Sequence, residues 1–182
     1  MSSSNMLTNL GRRIRRDRQS ASRIYAALLA LVTAGGLVAC GFHLRGEYNV
    51  PFASVYLSAP GTSQVAVKLR RELANSPTKL MPTAAEAEAQ LNISEERRER
   101  TILSLSGAGR VREYQLKLRV QYQLVDNKGN VPIPSSEIQL HRIMTYDDSQ
   151  VIAKLQEETL LYKDMEQDAA NQILRRMTAI KR

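Results

Sequence analysis

The clearest pattern along the chain is a strict alternation of apolar and polar side chains between residues 114 and 124. Successive side chains of a β-strand point to opposite faces of the sheet. The alternation therefore predicts a strand with one buried face and one wet face. The apolar positions are Tyr114, Leu116, Leu118, Val120, Tyr122 and Leu124, and the polar positions are Gln115, Lys117, Arg119, Gln121 and Gln123.

A second strand is predicted just before this segment, at residues 91–105. The run at residues 95–100 is wholly charged, which is typical of a solvated strand edge that resists pairing with other strands. A glycine-rich turn at residues 107–109 is expected to join the two strands as a hairpin. The apolar residues at both ends of the second strand are odd-numbered, which predicts that they share one face of the sheet. They are Leu91, Ile93, Leu103 and Leu105.

A last strand and a long helix close the chain. After a polar turn at residues 126–130, the apolar positions of the strand are Ile138, Leu140, Met144 and Tyr146, with Arg142 as the odd member of that face. Asp147, Asp148 or Ser149 is predicted to cap the helix. Apolar residues three and four apart give the helix one buried stripe. The stripe consists of Leu161, Met165, Ala169, Ile173, Met177 and Ile180.

A shorter strand and helix precede these elements. Residues 52–59 predict a strand with Val55 and Leu57 on one face, which stops at the turn pair Pro60-Gly61. A helix is expected to follow, capped by Thr62 or Ser63. It runs to about residue 75 and buries Val65, Leu69 and Leu73. Residues 76–88 are predicted to be a connection that contains a helical turn.

The order of these elements indicates the fold class. A strand, a helix, three antiparallel strands and a helix favour an α+β domain of two layers. We expect both helices to pack on one face of a four-stranded, largely antiparallel sheet.

The first forty residues have the layout of an export signal. Five arginines between residues 12 and 18 precede an apolar run of fifteen residues at 24–38, which is short for a membrane span of about 20 residues. The sequence Leu37-Val38-Ala39-Cys40 then resembles a lipobox. We expect residues 1–39 to be a removed signal peptide, residues 40–51 an acylated tether, and residues 52–182 a single domain.

Other interpretations of this leader stay open. Cys40 could be a buried residue of a membrane helix or a thiol without a role, although it is the only cysteine and ends the apolar run. The arginine pairs resemble a twin-arginine signal, but Ile14 is followed by Arg15 instead of an apolar residue. General secretion is therefore preferred. The leader is long, which leaves the position of the true start codon open.

Charge and composition argue against nucleic acid and against catalysis. The net charge is +8, but the leader holds six arginines against one aspartate, which leaves only +3 for residues 40–182. His43 and His141 are far apart in the chain and have no partner at catalytic spacing. No nucleophile elbow, phosphate loop or cluster of metal ligands is found in the sequence. We expect a binding protein without cofactor or metal, and not an enzyme.

The residues that follow the lipobox point to a family. Cys40-Gly41-Phe42-His43-Leu44-Arg45-Gly46 resembles the N-terminal signature of the lipopolysaccharide-assembly lipoproteins, LptE or rare lipoprotein B. The residues at 113–115, 153–157 and 168–176 are similar to that family in order and spacing. The resemblance implies a domain of two helices on a four-stranded sheet. It also implies an outer-membrane lipoprotein that plugs the LptD β-barrel, helps it fold and binds lipopolysaccharide.

Phosphates of such a ligand would require basic side chains within reach of one another, since arginine binds phosphate in bidentate fashion and lysine as a point charge. The candidates are Arg110, Arg112, Lys117, Arg119 and Lys154. Each could instead be a solvated charge, or could pair with a carboxylate of a barrel wall. We expect that neither Arg110 nor Lys154 packs in the core.

A second hypothesis is a lipid-carrier accessory lipoprotein of an ABC-type envelope lipid transporter. Such a protein would have the same anchor and a similar small domain. It would also need an apolar pocket large enough for acyl chains, and the tightly alternating sheet does not favour one.

Overall fold

The computed structural model describes residues 48–181, so the predicted leader, Cys40 and most of the predicted tether lie outside the described residues. Short 3₁₀ turns occur at Ala84–Glu86 and Asp148–Gln150. The main elements are β1 (Ser54–Ser58), α1 (Gln64–Ala74), β2 (Lys79–Leu80), β3 (Ala89–Leu105), β4 (Val111–Asp126), β5 (Ile133–Thr145) and α2 (Val151–Thr178).

The strands form one mixed sheet in the order β2-β1-β3-β4-β5. β1 runs parallel to both of its neighbours, and β3, β4 and β5 are antiparallel. The prediction of an α+β domain with two helices is confirmed, but that of four largely antiparallel strands is wrong. The additional strand has only two residues, Lys79 and Leu80, which pair with Ser54 and Val55. Two residues are too few to produce a periodic signal.

One core lies between the helices and the even-numbered face of β4. Leu116, Leu118, Val120 and Leu124 are completely buried, as the alternation predicts. The predicted helix faces are buried as well, and Ser63 caps α1 through a hydrogen bond from the N–H of Ala66. Val50 and Phe52 also lie in the core. Among residues 48–181, the buried members of the core extend from Val50 to Met177.

A β-bulge changes the phase of β3. Ile93 pairs with Tyr122, but Glu96 then pairs with Val120 and Arg98 with Leu118, because the register shifts after Ile93. The even-numbered residues from Glu96 to Ile102 therefore face the helices, and the register shifts again after Ile102. The prediction that the odd-numbered apolar residues share one face is wrong beyond the bulge, where Leu103 and Leu105 are 45% and 55% exposed.

The two helices differ greatly in length. At 1.5 Å per residue, the 28 residues of α2 span about 42 Å and the 11 residues of α1 about 16 Å. The predicted stripe of α2 is buried from Met165 to Met177, while Leu161 and Ile180 are only partly buried. Asp147 caps the preceding 3₁₀ turn and not α2 itself. Between residues 48 and 181, no helix is both long and apolar enough to cross a membrane.

Candidate functional site

The end of the fold at which β3 turns into β4 and α2 begins is here named the hairpin end, residues 102–113 and 143–160. β3, β4 and α2 all extend to this end, whereas α1 begins near the middle of β3. An open cavity of about 620 Å³ lies there. Its lining residues are Ser104, Leu105, Arg112, Glu113, Thr145, Tyr146, Asp147, Gln150 and Lys154.

The hairpin turn presents two of the predicted cations. The N–H of Gly109 donates to the carbonyl of Ser106 at 2.9 Å, and Gly109 has a φ of 75°, which favours glycine. Arg110 is exposed directly after this turn, and Arg112 lines the cavity. Neither arginine forms an ion pair with any residue in the described range. Both guanidinium groups are therefore available to an external anion.

Lys154 has more contacts within the domain than the sequence predicts. Its ammonium donates to the hydroxyl of Thr145 at 3.2 Å and to the carboxylate of Glu157 at 2.8 Å, and only 14% of the side chain is exposed. The pKa of Asp147 is lowered mainly by hydrogen bonds from Ser149, and Lys154 contributes to the shift. The carboxylates around Lys154 offset the repulsion between a cation and the start of a helix.

Lys117 and Arg119 lie elsewhere, on the face of the sheet that no helix covers. Lys117 stands in register with His141 of β5, and Arg119 stands beside Arg97 of β3. Arg119 also approaches the carboxylate of Glu137 at 3.6 Å. The structure therefore divides the five candidates into two groups: Arg112 and Lys154 line one cavity, with Arg110 two residues before Arg112, whereas Lys117 and Arg119 lie on the helix-free face.

The charged run of β3 has a structural role that the sequence analysis missed. Glu96 faces α1 and accepts hydrogen bonds from the hydroxyl of Ser63 at 2.5 Å and from the N–H of Val65 at 3.1 Å. The N–H of Gln64 also donates to this carboxylate, at 3.2 Å. A carboxylate at this position satisfies N–H groups that the helix itself leaves free and interacts favourably with its dipole.

The next two inward residues of β3 pair with α2. Arg98 donates to Glu166, which is 1% exposed, and Arg100 donates to Glu158 at 2.9 Å. Burial raises the pKa of Glu166, and the positive charge of Arg98 opposes the shift. The prediction of a solvated edge is therefore wrong for Glu96, Arg98 and Arg100. All six residues at 95–100 are charged, so the sequence contains no alternation that could have indicated which of them face the helices.

Aromatic rings pack against these arginines. The guanidinium of Arg98 lies 5.2 Å from the ring centre of Tyr162, and that of Arg100 lies 4.8 Å from the ring of Tyr114. The hydroxyl of Tyr162 donates to the carbonyl of Glu99 at 2.8 Å. Tyr146 meets Tyr114 edge to face with ring centres 5.1 Å apart. The two contacts of Tyr162 join α2 to β3 beyond the start of α1, and the contacts of Tyr114 pack the strands beside it, in geometries that are favourable for cations and rings.

Arg142, the odd member of the inward face of β5, has a similar explanation. Its guanidinium donates to the carboxylate of Asp168 on α2 at 2.7 Å. Both side chains remain partly exposed, so the pair lies at the rim of the two layers. Arg142 therefore joins β5 to α2 at a position where a leucine would be half exposed.

A larger cavity lies at the opposite end of the fold, between the β4–β5 turn and the end of α2. It has a volume of about 990 Å³. Phe52, Ile133 and Ile180 contribute apolar walls, but the polar turn at residues 126–130 also lines it. Within residues 48–181, no group of three or more His, Cys, Asp or Glu side chains is placed to hold a metal ion.

The fold places the chain in the class of small two-layer α+β domains in which two helices cover one face of a mixed sheet. Within that class the chain belongs to the LptE family, described as lipopolysaccharide-assembly, which matches residues 52–177. The comparison confirms the family that residues 40–46 predict.

Several relatives support this assignment. The LPS-assembly lipoprotein LptE of Pectobacterium atrosepticum is 28% identical over 157 residues, which cover 84% of this chain and 82% of the relative. The solution structure of an uncharacterized lipoprotein B from Nitrosomonas europaea is 41% identical, with a TM-score of 0.66 over 76% of this chain and 91% of the other. The crystal structure of the rare lipoprotein B from Shewanella oneidensis is 26% identical, with a TM-score of 0.60 over 69% and 94%.

Proposed function

We propose that this chain is a lipoprotein of the outer membrane that plugs the lumen of the LptD β-barrel and helps it assemble. In this proposal residues 1–39 are removed and Cys40 is acylated, so the domain is anchored at the periplasmic side of the membrane. The domain also binds lipopolysaccharide during its transport to the cell surface. Binding and assembly require no catalysis and no cofactor.

One observation carries the part of this proposal that concerns lipopolysaccharide. Arg110 and Arg112 have no ion pair with any described residue, and Arg112 lines the cavity that Lys154 also lines, two residues from the exposed Arg110. Guanidinium groups bind phosphate in bidentate fashion, which suits the phosphates of lipopolysaccharide. This arrangement occurs in a chain that belongs to a lipopolysaccharide-assembly family.

The helix-free face of the sheet suits the contact with a barrel. The lumen of a transmembrane β-barrel is polar, so a plug requires a polar surface. Rows of charged and amide side chains cross this face, and Lys117 and Arg119 belong to them. The residues of these rows are Glu95, Arg97, Glu99, Gln115, Lys117, Arg119, Gln121, Glu137, Gln139 and His141.

The hypothesis of an ABC-transporter accessory lipoprotein has less support. That role would require an apolar pocket for acyl chains. The cavity of about 990 Å³ at the end of α2 is partly walled by the polar turn at residues 126–130.

Affinity purification tests the plug. The full chain, tagged at its C-terminus and recovered from detergent-solubilised outer membranes, should bring with it the LptD barrel and lipopolysaccharide. The complex should survive moderate salt, because many polar contacts share the interaction. Recovery of the lipoprotein as a stable monomer without the barrel would contradict the proposal.

A further inference from the structure

The large apolar side chains that remain exposed are unevenly distributed over the described residues. Two of them, Val67 and Val131, lie away from the hairpin end. Eight lie at the hairpin end, on both layers of the fold. These are Ile102, Leu103, Leu105, Ile143, Val151, Ile152, Leu155 and Leu160. Ile143 pairs with Gln115 on the helix-free face, whereas Ile102 pairs with Tyr114 on the face toward the helices. A concentration of exposed apolar side chains at one end of a fold is typical of a binding site.

On α2 the exposure follows from the short length of α1. Leu155 precedes the buried Tyr162 by seven residues, and Ile152 precedes the buried Glu166 by fourteen, so both continue the inward stripe of the helix. Seven residues are close to two helical turns. Leu155 is nevertheless 54% exposed and Ile152 77%, because α1 does not extend to this level.

The sheet opens in the same place. Ile102 of β3 faces the helix layer opposite Tyr114 and is 57% exposed. Two residues further along β4, Leu116 is fully buried. Ile102 on the sheet and Ile152 and Leu155 on α2 are thus apolar side chains of the inward faces that remain exposed at the hairpin end.

Cations stand next to this apolar surface. Leu105 lines the same cavity as Arg112 and Lys154, and Leu155 is the chain neighbour of Lys154. The cavity also contains carboxylates, but Glu113 accepts a hydrogen bond from Ser104 at 2.6 Å and Asp147 is bonded to Ser149 at 2.8 Å. Both acids therefore have internal partners, whereas Arg112 has none among the described ion pairs.

An amphiphile with anionic and apolar parts matches this combination better than a barrel wall does. A polar lumen would leave the apolar side chains of the hairpin end unmatched. We infer that Ile102, Ile152 and Leu155 hold an acyl chain of lipopolysaccharide while the neighbouring cations hold its phosphates. This inference rests on the proposed function and adds the site of the lipid's apolar part.

Site-specific photocrosslinking in living cells tests the inference with the full chain. A benzophenone amino acid replaces Ile152, Leu155 or Ile102 in turn, and adducts are detected with an antibody against lipopolysaccharide. Irradiation should produce lipopolysaccharide adducts at all three positions. Val67 and Val131 serve as matched controls, since they are exposed apolar positions elsewhere, and should produce none.

A second variant tests the contribution of the apolar surface. The Ile152→Gln, Leu155→Gln double variant should retain about tenfold less lipopolysaccharide after purification with its barrel, since two apolar contacts are lost. Its cellular level should be unchanged, because substitutions at exposed positions affect stability little.

The outcomes separate the inference from the proposed function. Adducts with phospholipid or with protein alone at the three apolar positions would overturn the acyl site, and so would normal lipopolysaccharide retention by the double variant. A further probe replaces Arg112 with the benzophenone amino acid. If this probe captures lipopolysaccharide while the three apolar positions do not, the acyl site is rejected and the proposed function stands. If no position at the hairpin end captures it, both the acyl site and direct lipopolysaccharide binding are rejected.

Discussion

The guanidinium of Arg98 in β3 donates a hydrogen bond to the carboxylate of Glu166 in α2, of which only 1% is exposed. A carboxylate so deeply buried is strongly destabilised unless it is paired. The pair also joins β3 to α2 at a level that lies beyond the start of α1. Arg98 is placed there by the β-bulge after Ile93, which turns a charged residue toward the helices.

Replacing one partner of the Arg98–Glu166 pair should lower the free energy of unfolding more than replacing both. Arg98→Leu should lower the free energy of unfolding by about 3 kcal/mol, because Glu166 then stays buried without a counter-charge. Arg98→Leu combined with Glu166→Leu should recover most of the loss. Urea denaturation of the isolated domain, residues 48–182, measures both. Arg100→Leu is the matched control and should cost about 1 kcal/mol or less, because its pair is more exposed. A double variant as unstable as Arg98→Leu would refute this explanation.

Glu166 should also make stability depend on pH. Burial raises the pKa of Glu166 above its ordinary value of 4.5. The folded state therefore holds this proton to higher pH than the unfolded state does. Relative to Glu166→Gln, the wild type should be most stable below the ordinary value and should lose stability as the pH rises through the raised pKa. Urea unfolding of both proteins over a pH series measures the difference. If the stability of the wild type relative to Glu166→Gln increases with pH, the upward direction of the Glu166 pKa shift is contradicted.

Glu96 should stabilise α1 from outside the helix. Glu96→Ala removes the acceptor for the Ser63 hydroxyl and for two backbone N–H groups, and should cost about 1–2 kcal/mol. Glu95→Ala is a suitable control, since Glu95 lies on the helix-free face of the same strand and pairs only with Arg97 at 3.0 Å. Equal losses of thermal stability in the two variants would show that the capping contact contributes nothing.

The two groups of cations should have separable effects. Arg110→Glu with Arg112→Glu should reduce lipopolysaccharide retained by the purified complex at least tenfold, since each lost charge-assisted contact is worth about 1.5–3 kcal/mol. The barrel should remain bound. Lys117→Glu with Arg119→Glu should instead weaken retention of the barrel, because these residues lie on the helix-free face. Arg70→Glu with Arg71→Glu on the exposed side of α1 controls for net charge. The proposed division fails if both cation pairs affect the same partner.

Cys40→Ser should abolish anchoring. A serine hydroxyl does not replace the thiolate as the nucleophile for acylation. The precursor should then remain uncleaved or leave the membrane fraction, because at least two fatty chains are required for stable attachment. Metabolic labelling with a palmitate analogue measures the modification directly. Label that persists on the serine variant would show that the lipobox interpretation is wrong.

Local periodicity predicted the elements whose environment is uniform along their length. β4 is covered on one side from Leu116 to Leu124 and open on the other, so its alternation in the sequence corresponds directly to burial. The same holds for α1, whose residues Val65, Leu69 and Leu73 all meet one core. The seven residues after the lipobox indicated the family for a different reason, since such a signature reflects descent and not packing.

The candidate site was predicted only in part. The sequence indicated five cations, and the alternation along β4 already places Lys117 and Arg119 on the face opposite to Arg112, but only the fold brings Arg112 and Lys154 to one cavity. The hydrogen bonds of Lys154 to Thr145 and Glu157 depend on how the chain turns from β5 into α2. The apolar surface of the hairpin end depends on the difference in length between the two helices, which no single segment contains.

The sequence by itself therefore determined the helices, the long strands, the buried face of β4 and the family. Each of these depends on local spacing or on a short contiguous motif. Only the tertiary structure decided the short fifth strand, the parallel pairing of β1 and the inward direction of Glu96, Arg98 and Arg100. One bulged residue in β3 reverses the side chains that follow it as far as Ile102, where the register shifts again, because the side-chain period is two. Long-range pairing stabilises such a bulge, so residues 93–95 alone do not reveal it.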